Sequence, residues 1–235
     1  MTLTTADHWE AIRVERARLA GDLADLTDAQ WSSPSLCADW SVEEVVAHLT
    51  AGASTGRWAW LRSIAGAGFK PAVHNARRLA EHRGTTPAQT LEQFRAVVDS
   101  RVAPTGDLWA WLGEVVVHGA DVREPLGIRT VPDLSAVVAV AEGYVRKDFA
   151  VDSRSTAKGL RLVATDSSFR AGDAPSGPGR TVEGSTLDLV LAMAGRPSVV
   201  GRLGGDGVPT LLERVQPLPG CLARDVALVG AYSTR

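Results

Sequence analysis

Cysteine is scarce in this chain. Cys37 and Cys221 are its only two among 235 residues, which is no disulfide framework at this length. The expectation is a pair of reduced thiols in a cytoplasmic protein. Neither sign of charge dominates: 25 Lys and Arg stand against 27 Asp and Glu, a formal net charge of −2. The charges are not gathered into runs, which argues against a nucleic-acid partner or a polybasic membrane anchor. No apolar stretch is long enough to span a bilayer. The opening Met1-Thr2-Leu3-Thr4-Thr5-Ala6-Asp7-His8 has neither the basic nor the apolar region of a secretory signal. Internal repeats and long low-complexity segments are also missing. What is present is length enough for one large core or two modest ones.

The first part of the chain has a helical period. Between Thr5 and Leu26, Trp9, Ile12, Ala17, Leu19, Leu23 and Leu26 recur roughly every third or fourth residue, with Glu15, Arg16 and Arg18 between them. After a loop at 32–40, Ser41 with Glu44 three residues on forms a capping box, which predicts a helix from Val42 into the sixties. Pro71 opens a third helical piece, interrupted near Gly84. Thr86-Pro87-Ala88-Gln89 is another start signal, for a helix expected to reach Val102. A further helix follows the turn at Pro104, Gly106 and Asp107 and stops before Pro125 and Gly127. A fifth is expected from Asp133 to Phe149.

The pattern then changes. Gly159 to Thr165 alternates between turn residues and reads as a strand. Ala171 to Gly179 is a loop by composition. Arg180 to Gly184 reads as a strand, Ser185 to Ala194 as a short helix, Val199 to Leu203 as a strand, and a brief helix lies near Leu211. The expected architecture is an N-terminal helical domain over 1–150 and a small α+β domain over 151–235.

Chemistry concentrates in Trp111-Leu112-Gly113-Glu114-Val115-Val116-Val117-His118-Gly119-Ala120-Asp121. On a helix, Glu114 and His118 stack one turn apart, with Asp121 on the same side. A carboxylate among valines is costly to desolvate unless a cation meets it. Glu and His are reasonable ligands for a divalent metal, zinc above all. Two ligands make a weak site; His48, flanking the apolar arc of Val42, Val45, Val46 and Leu49, is the best candidate for a third. Three protein ligands leave positions open for water or substrate, as in catalytic sites. The bland alternative is a helix-stabilising Glu–His pair and an unrelated histidine. His8, His74 and His82 have no such setting and are expected on solvated helix faces.

The segment Leu36-Cys37-Ala38-Asp39-Trp40-Ser41-Val42-Glu43-Glu44-Val45-Val46-Ala47-His48-Leu49 resembles the C-x-x-W-[ST]-V-x-[DE]-V-x-x-H-L signature of the mycothiol-dependent maleylpyruvate isomerase family. Glu114 to Val122 resembles that family's second signature, E-x-x-x-H-x-x-D. Similarity continues through Gly159 to Asp166, Val182 to Ser185 and Leu191 to Arg196, so it covers most of the chain. The resemblance implies a DinB-like four-helix bundle and a zinc-type metal held by His48, Glu114 and His118. It also implies the low-molecular-weight thiol mycothiol as cofactor, in an actinobacterial setting. Many DinB-like relatives carry His where this chain has Glu114; the carboxylate favours the isomerase branch.

The implied function is a thiol-using isomerase or S-transferase acting on a small electrophile, because a metal-bound thiol is a thiolate near neutral pH. A non-catalytic metal or small-ligand binder and a metal hydrolase using bound hydroxide are the alternatives. Asp121 is a candidate to orient a ligand from behind. Arg196 is a candidate catalytic residue holding a substrate carboxylate, against a simple helix-end role. Arg57 and Arg123 are weaker candidates for the same task. Cys37 reads as a small buried filler, and Trp40 as packing at the helix start.

Overall fold

In the computed structural model, the residues described are 3–37, 40–66, 71–103, 105–149, 151–172 and 180–215. They fall into two compact units, one over Leu3–Val131 and one from Pro132 onward. No helix among the described residues is long and apolar enough to cross a membrane.

The first unit is helical. It contains α1 (Thr5–Asp22), α2 (Asp28–Trp31), α3 (Val42–Ser54), α4 (Arg57–Gly66), α5 (Pro71–His82), α6 (Pro87–Ala96) and α7 (Leu108–Arg123). Capping boxes start α1 at Thr4, α2 at Thr27 and α3 at Ser41. At α3 the Ser41 N–H donates to Glu44 Oε2 (2.8 Å) and the Glu44 N–H to Ser41 Oγ (3.3 Å). Two donors that the helix itself leaves unmade are thereby satisfied. The core is built where α1 packs on α7 and α3 packs on α5, α6 and α7. Ile12, Leu19 and Leu23 are buried there with Val42, Val45 and Val46 and with Leu112, Val116 and Val122.

Two helices end earlier than their sequence period predicts. The helix from Val42 stops at Ser54, and α4 starts afresh at Arg57. Thr50, Ser54 and Thr55 each donate a hydroxyl to the carbonyl four residues back, competing with the helical ladder, and Gly56 follows. Likewise α6 ends at Ala96, short of Val102. The buried Arg16 guanidinium donates to the carbonyls of Val97 (3.3 Å) and Ser100 (2.9 Å), so α1 takes over the oxygens a longer helix would have used.

The second unit is α+β. It holds α8 (Leu134–Arg146), α9 (Ser153–Ala157), β1 (Arg161–Ala164), β2 (Arg170–Ala171), β3 (Thr181–Gly184), α10 (Thr186–Met193), a 3₁₀ turn at Pro197–Arg202 and α11 (Val208–Arg214). The sheet order is β2-β1-β3, with β1 antiparallel to β2 and parallel to β3. The helix expected over 133–149 packs on α9 and α10, so the division falls at Val131/Pro132 and not near 150. Val199 to Leu203, read as a strand, is mostly a 3₁₀ turn. Pro197 at its first position presets a helical φ, and sheet pairing is left to Gly204 alone, opposite Glu183. The two-residue β2 was not anticipated, and 173–179 of the expected loop lie outside the described residues.

Candidate metal centre

Two helices of the first unit supply the side chains. His48 sits on α3, and Glu114, His118 and Asp121 on α7, helices whose apolar faces are buried together. Burial of Val45, Val46 and Leu49 on one and Val115, Val116 and Ala120 on the other sets the rotation of each helix. That rotation turns the polar residues flanking each apolar face toward one another. Glu114 Oε2 lies 3.2 Å from His48 Nε2 and 3.3 Å from His118 Nε2. The two imidazoles stand edge to face, with ring centroids 5.0 Å apart. All three ligand-type atoms lie within 4.8 Å of one another. Residues separated by 66 positions in sequence thus meet in one cluster.

Exposure is graded across the cluster. The side chains of His48 and Glu114 are about a quarter exposed (25% and 24%), His118 is 8% exposed, and Asp121 is wholly buried. The Asp121 carboxylate accepts the His118 Nδ1–H at 2.8 Å, which leaves Nε2 facing Glu114. Burial alone pushes the Glu114 carboxyl up. Hydrogen bonds from His118 and His48, with their charge, outweigh that and hold it well below the usual carboxylate range. Burial pulls the His118 imidazole down, yet hydrogen bonds to Asp121 and Glu114 and their negative charge push it up to about 9.

The donor set suits a divalent cation. With both imidazoles neutral, Glu114 and Asp121 carry two negative charges, which one such ion balances. Ligand atoms held about 2.0–2.1 Å from a tetrahedral ion stand roughly 3.3–3.4 Å apart; the separations of His48 Nε2 and His118 Nε2 from Glu114 Oε2, 3.2 and 3.3 Å, are close to that edge. Histidine nitrogen and carboxylate oxygen are both good zinc donors, and three protein donors leave a position open.

Other residues singled out in the sequence lie as follows. Trp40 is buried beside both imidazoles. Arg123 is buried and donates from Nε to Asp22 Oδ2 at 2.7 Å, tying α7 to α1. Arg196, in the second unit, is buried and donates from Nη1 to the Ala194 carbonyl at 2.6 Å. His8 and His82 donate from Nδ1 to the carbonyls of Thr4 and Arg78, four residues earlier. The side chains of Arg57 and His74 and all of Cys221 lie outside the described residues.

Cys37 departs from expectation twice. It is buried as predicted but disulfide-bonded, which corrects its reading as a reduced thiol. It also forms, with His118 and Asp121, a second group of ligand-type atoms within 4.8 Å. Sequence reasoning missed that proximity. It arises where the Leu36 N–H donates to the Asp121 carbonyl at 3.0 Å, a loop-to-helix contact with no signature in spacing or composition.

Residues 12–108 match the family described as Mycothiol maleylpyruvate isomerase N-terminal domain. That similarity is confined to the N-terminal part of this chain. Two solved structures are similar over more of its length: the mycothiol-dependent maleylpyruvate isomerase, at TM-score 0.55, and a histidine-to-alanine mutant of it, at 0.56. Each is 19% identical and covers 83% of this chain and 92% of its own. At that identity the likeness is one of fold, extending through the helical unit into the α+β unit. Among curated proteins no sequence matches.

Proposed function

We propose that His48, Glu114 and His118 hold one divalent cation, zinc being the expected ion, and that the protein is a mycothiol-using isomerase or S-transferase for a small electrophile. The observation that carries this reading is the convergence of three ligand-type atoms, from α3 and α7, within 4.8 Å of one another. The family match over residues 12–108 supports mycothiol as the thiol and maleylpyruvate-like molecules as the first electrophiles to try. Bound together, ion and thiol supply a thiolate near neutral pH, the nucleophile needed to isomerise an activated double bond or to form a thioether.

The chain's own residues divide the remaining work. Asp121 holds the proton on His118 Nδ1, so the Nε2 lone pair is the one presented to the ion. Glu114 lies between the two histidines and offsets positive charge in a partly desolvated place. The exposed edges of His48 and Glu114 form the side from which small molecules approach. Arg196, already engaged with a main-chain carbonyl, is assigned the helix-end role and no step.

Metal content decides the first half of the reading. The purified protein should carry a single ion per chain and the His48→Ala variant none; equal content in both removes His48 from the site. Turnover of maleylpyruvate with and without mycothiol decides the second half. Thiol-dependent isomerisation is expected. Thiol-independent hydrolysis would point to bound hydroxide instead, and no turnover over a broad electrophile panel would leave a metal-binding protein without catalysis.

A further inference from the structure

The two imidazoles of the cluster are held in different ways. His118 is oriented by a hydrogen bond, its Nδ1 lying 2.8 Å from the buried Asp121 carboxylate. His48 has no counterpart: among the described residues its hydrogen bonding is confined to Nε2, toward Glu114. A histidine ring turns broadly about its last side-chain bond, and a half-turn would present a ring carbon where Nε2 now stands. The Trp40 indole packs against the His48 ring. The indole is 6% exposed, and its ring centroid is 4.8 Å from that of His48, tilted by 45°. It also reaches His118, at 6.2 Å and 38°.

Trp40 is itself firmly placed. Its carbonyl accepts the Ser35 N–H (2.9 Å) and the Ser35 hydroxyl (2.8 Å), and its N–H donates to the Cys37 carbonyl (3.0 Å). One residue further on, Ser41 caps α3. The same turn is fastened to α7 by the Leu36 N–H, which donates to the carbonyl of Asp121. Asp121 therefore acts at both ends: its carboxylate orients His118, and its main chain anchors the turn that carries Trp40.

We propose that Trp40 is a positioning residue for the metal ligands, with its indole plane fixing the ring of His48 as the Asp121 carboxylate fixes that of His118. This rests on the metal reading above. The role requires a flat ring at position 40, and bulk alone does not serve. Partners that orient metal ligands typically change affinity about 10- to 100-fold when lost. Trp40→Phe keeps a flat face and should keep the affinity for Zn²⁺ within a few-fold. Trp40→Leu and Trp40→Met fill the space with flexible chains and should weaken it about tenfold or more.

Affinity is measured by competition with a chromophoric chelator, and ligand geometry by the visible absorption of the Co²⁺-substituted protein. Thermal midpoints of the metal-free variants are recorded alongside. The expected result is that affinity and the Co²⁺ spectrum follow ring planarity, with Phe separated from Leu and Met. If all folded variants bind Zn²⁺ as the wild type does, with an unchanged Co²⁺ spectrum, Trp40 is core filling and the proposal falls. Affinity that follows only the thermal midpoints overturns it too. A wild type that binds no more metal than His48→Ala is a different result, because it removes the metal reading itself.

Discussion

His118 is the most constrained residue of the cluster, lying between the carboxylates of Glu114 and Asp121 with only 8% of its side chain exposed. Without metal, those two charges stabilise an imidazolium, which is why its pKa rises to about 9. The proposed metal binding needs the neutral ring, so uptake at pH 7 would displace a proton. We expect Zn²⁺ titrated into the metal-free protein at pH 7 to release a proton that is not released in His118→Ala. Calorimetry in buffers of different ionisation enthalpy reads this directly. Asp121 accepts a hydrogen bond with its carboxylate and offsets charge at the same time. Asp121→Asn retains an acceptor and loses the charge, and should weaken Zn²⁺ binding by about 10- to 100-fold in chelator competition.

At the scale of elements, local signals and long-range contacts had separate effects. Ser41 and Glu44 announce the start of α3 in four residues, and the capping box is present as read. Removing the side-chain cap with Ser41→Ala should cost about 1 kcal/mol, seen as a lower denaturant midpoint with unchanged metal content. The ends were less legible. Nothing near Val97 foretells that Arg16, 81 residues earlier, takes its carbonyl oxygen. In the α+β unit, Gly172 has φ +80°, and a Cβ there would stand 2.1 Å from the Leu160 carbonyl oxygen. Gly172→Ala should therefore cost about 1–3 kcal/mol of stability, through the pairing of β1 with β2 and without effect on the His48–Glu114–His118 cluster.

For the whole molecule, the cluster makes the stability of the metal-free protein depend on pH in both directions. The raised pKa of His118 gives a contribution fully present below its unfolded value of about 6.5, and lost as pH rises through about 9. The lowered pKa of Glu114 gives one present above its unfolded value of about 4.3, and lost as the medium becomes strongly acidic. Urea midpoints of the metal-free protein should thus fall from pH 7 to pH 10, and His118→Ala should flatten that fall. Saturating Zn²⁺ should raise stability by about 2.7 kcal/mol when free metal is 100 times its Kd. On the proposed site, His48→Ala and His118→Ala should show no such gain.

Two kinds of information were in the chain from the start. The apolar period, the caps and the Glu114–His118–Asp121 spacing are local, because a helix places residues three and four apart on one face whatever surrounds it. The nomination of His48 as third member came from its flank position on another apolar helix, and burial of both apolar faces brings it within 3.2 Å of Glu114. Only the tertiary structure decided where α3 and α6 stop, that Val199–Leu203 turns instead of pairing, and that Cys37 and Trp40 stand against the histidines. Each of these depends on a partner distant in sequence or on a competing hydrogen bond. Such contacts form only once the packing of neighbouring segments has fixed which groups can reach each other.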